Sequence, residues 1–176
     1  MMISMLFPLA LLQAASAQAQ PATPPPPPCS GEEFAAFDFW VGEWDVYPAG
    51  RDKQVARSKI EKLYGGCAIR ENWMPLNGGA GGSLNAFDPR TGRWHQTWIG
   101  SAPGPVMFDG GPVDGKMVLT GSWAGSGPNG EDGLTRMTYT LQDDGSVRQH
   151  GEFSGDHGLS WATSFDLIYR PHKEAE

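Results

Sequence analysis

The chain has 176 residues, 39% of them hydrophobic, with 24 glycines, 15 prolines and two cysteines. That length and apolar content suit a single domain with its own core. Thirteen basic residues against 20 acidic ones leave a net charge of −7, so the chain lacks the basic face that nucleic acid or an anionic lipid surface demands.

In chain order, residues 5–12 are an apolar run too short to span a bilayer, and Ala17-Gln18-Ala19 has the small-x-small form of a cleavage site. Residues 1–19 read as a secretory signal, without Lys or Arg in its n-region, cleaved near Ala19 to leave a periplasmic or extracellular protein. A buried N-terminal helix is the alternative. Residues 20–30 form a proline-rich linker that enters neither helix nor central strand. The residues before Cys29 are not those of a lipoprotein signal. In an exported protein Cys29 and Cys67 are natural disulfide partners; two free thiols are the other possibility. The folded domain spans 31–172, followed by a short tail, 173–176.

Residues 32–37 suit one helical turn. Beyond them, short alternating segments are separated by Gly, Pro and Asp, and long helical periodicity is absent. Strands are predicted near 39–47, 54–63, 67–74, 82–88, 94–99, 105–110, 115–123, 133–141, 146–154 and 161–170. Regular spacing of short strands marks an all-β sandwich or barrel. Asp88-Pro89-Arg90-Thr91-Gly92, Asp114-Gly115 and Asp144-Gly145 are turn sequences that make consecutive strands antiparallel neighbours. An antiparallel up-and-down barrel of about ten strands follows most simply, because closure removes exposed edges.

The pleat assigns faces. Pairing Phe87 with Trp94 sets Asn85 opposite Gln96 and puts Trp94, Gln96 and Trp98 on one face, with His95 on the other. Pairing Leu141 with Val147 and Tyr139 with Gln149 turns Met137, Tyr139, Leu141, Val147, Gln149 and Phe153 inward. Arg136, Arg148, His150 and Glu152 then face out, and a one-residue slip would bury those charges. Such an interior is either a small-molecule cavity with sparse polar groups or a solid core whose amides satisfy one another.

Other motifs weigh less. Residues 125–130 match G-x-G-x-x-G by letter, yet Pro128-Asn129 follows and no helix is available to hold a pyrophosphate. The histidines His95, His150, His157 and His172 lack metal-ligand spacing, so no metal site is expected. Glu43 and Glu71 are flanked by aromatic residues; either could act as acid or base with a raised pKa, or pair with an arginine such as Arg136 or Arg70. The run Ser154-Gly155-Asp156-His157-Gly158-Leu159-Ser160-Trp161 resembles the Asp-box hairpin of sialidases and related propellers, where Asp caps the turn and Trp packs beneath it. One copy in so short a chain implies the hairpin, with Asp156 and Trp161 as its structural residues, and no glycosidase activity.

Gly42-Glu43-Trp44 resembles the G-x-W of lipocalins and the wider calycin group. That resemblance implies a Trp44 that closes one barrel end with a basic residue of the last strand, Arg170, packed over it. The runs 37–46, Gly65-Gly66-Cys67, Glu71-Asn72-Trp73, 88–98, 144–149 and Phe165-Asp166 together resemble a family of uncharacterised, often exported bacterial proteins with a calycin-like β-barrel. His150-Gly151 departs from the bulkier apolar residues expected there. By this fold analogy the expected role is binding a small apolar or amphipathic ligand. Trp40, Trp73, Phe87, Trp94, Trp98 and Tyr139 would form the walls, and Asn85, Gln96 and Gln149 would orient the ligand. An enzyme using Glu43 or Glu71 for proton transfer is the first alternative. Haem binding like that of the related nitrobindin barrels is the second, and it requires a cavity-facing histidine. No cofactor is otherwise expected.

Overall fold

Ten antiparallel strands close into an up-and-down barrel in which each strand pairs with its neighbours in sequence and the last pairs with the first. The computed structural model describes residues 26–174; the expected signal segment and most of the proline-rich linker lie outside them. The strands are β1 (Gly42–Pro48), β2 (Ala56–Leu63), β3 (Ala68–Pro75), β4 (Gly81–Asp88), β5 (Arg93–Gly100), β6 (Val106–Val113), β7 (Lys116–Trp123), β8 (Gly133–Leu141), β9 (Val147–Ser154) and β10 (Ala162–Pro171). Among the described residues one short α-helix, α1 (Glu32–Ala35), precedes them.

The first strand starts later than its sequence suggests. Asp38–Trp40 is a 3₁₀ turn, because Phe37 and Trp40 fold inward and are fully buried. Burial outweighs the strand preference of an aromatic run. The extended chain begins at Gly42, whose φ of 154° favours glycine and where a Cβ would lie 3.2 Å from the Trp44 ring.

Turn chemistry sets the registers. Asp114 and Gly115 both have positive φ, 49° and 74°, as a two-residue hairpin requires. At the β4–β5 turn the Arg90 amide donates to Asp88 Oδ1 at 2.9 Å, and Gly92 sits at φ 67°. Phe87 pairs with Trp94, Asn85 with Gln96, and Tyr139 with Gln149, as the pleat argument expects. Leu141, expected inside, is 51% exposed because it ends its strand beyond the packed core. The Phe153 ring lies over Gly133 and Gly127 beneath the β7–β8 loop. Gly151 is explained by its partner: a Cβ there would come within 2.2 Å of the Phe165 ring, which lies in the space a side chain would need.

Charges sit on the outer face as cross-strand pairs, Lys59–Glu43 at 3.0 Å, Arg136–Glu152 at 2.9 Å, Arg148–Asp166 at 2.7 Å, and Arg70–Glu61. This is the reverse of a lipid-facing barrel, whose outer band is apolar. Among the described residues no helix is long and apolar enough to cross a membrane.

One barrel end is plugged by the N-terminal segment. Cys29 and Cys67 form a disulfide, with Cα atoms 5.0 Å apart, that ties the arm to the β2–β3 connection. Lys62 Nζ reaches Asp38 at 2.6 Å, and Phe34 meets Phe87 edge-on at 5.2 Å. The connections at this end are tight turns such as 89–92 and 114–115, whereas the longer loops 124–132 and 155–161 gather at the opposite end.

Candidate functional site

The plug claims several residues expected to contact ligand. Trp40 stacks on Phe37 at 4.8 Å and leans on Tyr139 at 4.8 Å. Its indole N–H has no partner among the described residues, a cost of about 1–3 kcal/mol set against full burial of the ring. Trp94 donates to the Glu33 carbonyl at 3.1 Å, and Phe87 packs on α1. Trp40, Phe87 and Trp94 therefore close the barrel and do not wall a cavity. The reason is shared: the chain before β1 has enough aromatic surface to fill that end itself.

Toward the other end the barrel is hollow. A cavity of about 200 Å³, partly open to solvent, is walled by Trp73, Trp98, Phe108 and Trp123, with Phe165 and Leu167 from β10. Tyr139, Tyr169, Gln149 and Glu71 form its deeper polar side. Of the residues expected to contact ligand, Trp73, Trp98, Tyr139 and Gln149 are thus brought together. Phe108, Trp123, Phe165, Leu167 and Tyr169 join them at the cavity and were not among the expected contacts. The signal was present, since Phe165, Leu167 and Tyr169, like Leu119, Gly121 and Trp123, follow the two-residue period of an inward row.

Asn85 and Gln96, also expected at the ligand, lie behind this wall and serve the carboxyl instead. Gln96 Nε2 donates to Asn85 Oδ1 at 2.7 Å, and Asn85 Nδ2 donates to Ser83 Oγ at 3.0 Å. With that lone pair engaged, the Ser83 hydroxyl donates to Glu71 Oε2 at 3.2 Å, while Ser58 Oγ donates to Oε1 at 3.2 Å. A second chain crosses the cavity floor: Tyr169 donates to Gln149 Oε1 at 2.7 Å, and Gln149 Nε2 donates to the Tyr139 oxygen at 2.9 Å.

Glu71 is 6% exposed, and among the described residues no cation reaches it. The pleat explains why: Arg70 points outward to Glu61, and its neighbour therefore points in. Burial pushes the Glu71 carboxyl up from its ordinary value of 4.5 to about 7, against hydrogen bonds from the Ser83 and Ser58 hydroxyls that favour the charge. Burial, together with the neighbouring Glu71, also raises the Tyr139 and Tyr169 hydroxyls well above their usual range, so both stay neutral donors.

Glu43, the other candidate acid or base, is on the exposed side of β1. Lys59, by hydrogen bond and charge, lowers its pKa, so it is an outer-face ion-pair partner and not a cavity group. None of the four histidines lines the cavity: His95 pairs with Asp109, His150 with Thr163 at 2.9 Å, His172 with Asp45 at 2.9 Å, and His157 occupies a turn at φ 61°. Among the described residues no cluster of His, Cys, Asp and Glu could hold a metal ion.

The expected structural residues divide. Trp44 is buried, donates to the Trp40 carbonyl at 2.9 Å and meets Tyr169 edge-on. Arg170 does not pack over it. The β1–β10 register pairs Pro171 with Trp44 and Arg170 with Asp45, so the guanidinium turns outward, 4.3 Å from the Tyr47 ring centroid. Asp156 accepts from the Ser160 amide at 2.9 Å and from the Ser160 and Ser154 hydroxyls at 2.7 Å each. The Ser160 amide, chiefly, lowers its pKa to about 2. Trp161 closes the hairpin through the Gly158 carbonyl at 3.1 Å, with Arg136 over its ring. No family model matches the chain, and no curated protein matches its sequence.

Proposed function

We propose that the barrel binds a small apolar or amphipathic molecule through its open end. The observation that carries this reading is the 200 Å³ hollow, walled by aromatic side chains over one buried carboxyl and one glutamine. That composition, apolar walls with a few placed polar groups, is the usual one for small-molecule sites. The volume is close to that of an engineered cavity that takes up benzene, so one ring or a short aliphatic chain fits inside. Trp73, Trp98 and Trp123 make intrinsic fluorescence a direct reporter. Titration with single-ring and short-chain compounds should shift or quench emission saturably, and a flat response across a chemically diverse panel refutes the reading.

One observation favours a second reading, proton transfer by Glu71: a carboxyl titrating near 7 on a cavity wall is poised for acid or base work at neutral pH. A Glu71→Gln variant that keeps ligand affinity but loses turnover of a bound compound would establish it. The haem alternative has no histidine to act as axial ligand. Export is part of the proposal, supported by the Cys29–Cys67 bridge, which is characteristic of oxidising compartments. So is kinship with calycin-like barrels and the exported bacterial family. The up-and-down closure and the Gly42-x-Trp44 start of β1 support that kinship, while the outward Arg170 departs from the calycin pattern.

A further inference from the structure

A buried carboxyl group lines this hollow without a counter-ion among the described residues. Among the described residues its hydrogen-bond donors are two neutral hydroxyls, Ser58 on β2 and Ser83 on β4, while the nearby Tyr169 hydroxyl on β10 gives its proton to Gln149. Among the described residues Lys and Arg are absent from the buried set, and Tyr139 and Tyr169 are the only other titratable side chains on the cavity wall. Buried charges are ordinarily paired, and removing or lacking one partner leaves the other strongly disfavoured. Most of the remaining wall consists of ring systems, with Met137, Leu167 and Gln149 between them. Trp73, Trp98, Trp123, Phe108 and Tyr169 present aromatic surface, which attracts cations, around the space above the carboxyl.

We infer that the cavity is selective for a protonated amine or quaternary ammonium carried on a small apolar body, with the cation held between the aromatic wall and the Glu71 carboxylate. The inference rests on the ligand-binding reading and narrows it to one chemical class. A neutral alcohol can use the same lone pairs of Glu71, but it supplies no counter-charge and gains nothing from the ring faces. An anion meets a second negative group with no cation among the described residues to offset it. The amide chain from Gln96 through Asn85 and Ser83 has a purpose in this arrangement: it turns the serine hydroxyl toward Glu71 and leaves the carboxylate's other lone pairs for the ligand.

The test uses the intact, disulfide-bonded protein and a matched set of probes, 2-phenylethylammonium, 2-phenylethanol, 3-phenylpropionate and 2-phenylethyltrimethylammonium, titrated by calorimetry. At pH 8.5 the ammonium should bind on the order of 100-fold more tightly than the alcohol, since a desolvated cation–ring contact and a charge-assisted hydrogen bond act together. For the quaternary probe, whose own charge is fixed, affinity should fall by about 30-fold from pH 8.5 to 5.5 as a carboxyl titrating near 7 takes up its proton. Glu71→Gln should retain the alcohol and lose the preference for the cation. Equal binding of ammonium and alcohol, or a preference unmoved by pH, overturns the inference while leaving an apolar site in place. Tightest binding of the propionate overturns it as well. Failure of all four probes overturns both the inference and the binding reading beneath it. The pH series needs only the unmodified protein, so a poorly folding variant does not rescue the idea.

Discussion

Replacing Glu71 by Gln should stabilise the barrel in alkaline solution and change it little in acid. The carboxyl is buried and its pKa stands near 7 in the folded protein against 4.5 ordinarily. Between those values the folded state holds a proton that the unfolded chain releases. Stability from this group is therefore complete below about pH 4.5 and declines as pH rises through 7, where the folded state must also ionise. At 1.36 kcal/mol per pKa unit the full loss is about 3 kcal/mol, of which about 2.5 kcal/mol falls between pH 5 and 8.5. Glutamine matches the shape, cannot ionise and still offers an oxygen to one serine and an N–H₂ to the other. Urea unfolding at both pH values measures the difference, with the disulfide intact and m-values required to agree. The quantity of interest is the variant's stability minus that of the parent, in which other titrating groups cancel. It should grow by about 2.5 kcal/mol toward pH 8.5. A difference independent of pH would show that Glu71 is not buried as a neutral acid, and the cavity's polar side would need redrawing.

Reducing the Cys29–Cys67 bridge, or making Cys67→Ser, should cost about 4 kcal/mol from the 38-residue separation it closes, read as a lower denaturation midpoint on adding reductant. Gly151→Ala forces a methyl against the Phe165 ring and should destabilise by about 1–3 kcal/mol; adding Phe165→Leu should recover part of that loss, and simple additivity of the two would contradict the packing described. Glu43→Gln touches only the solvated outer face, so the thermal midpoint and any ligand affinity should both remain unchanged in the same assays.

The strands could be read from the chain because their signals are local. Asp88 to Gly92, Asp114-Gly115 and Asp144-Gly145 each specify a turn by backbone chemistry, and once those turns are set the pleat fixes which side chains meet, as with Asn85 and Gln96. The split between the plugged and hollow ends could not be read that way. Trp40, Phe87 and Trp94 carry the same aromatic character as Trp73 and Trp98, and what separates them is where α1 and the 3₁₀ turn come to rest, a matter of tertiary packing. The state of Glu71 is similar. Its inward direction follows from an outward Arg70, but its isolation from any cation among the described residues depends on β2 and β4 bringing only hydroxyl groups to it. Arg170 shows the opposite hazard. A pattern borrowed from other barrels placed it over Trp44, and a single step in the β1–β10 register moved it to the outer face.

The disulfide also gives the molecule a direction. Cys29 is bound to the β2–β3 connection at the plugged end, so the chain is fastened on the side opposite Trp73, Trp98 and Trp123. A partner or surface that holds the protein by its arm would leave the entrance facing away from it. Attachment at Cys29 and access to the hollow are then separate.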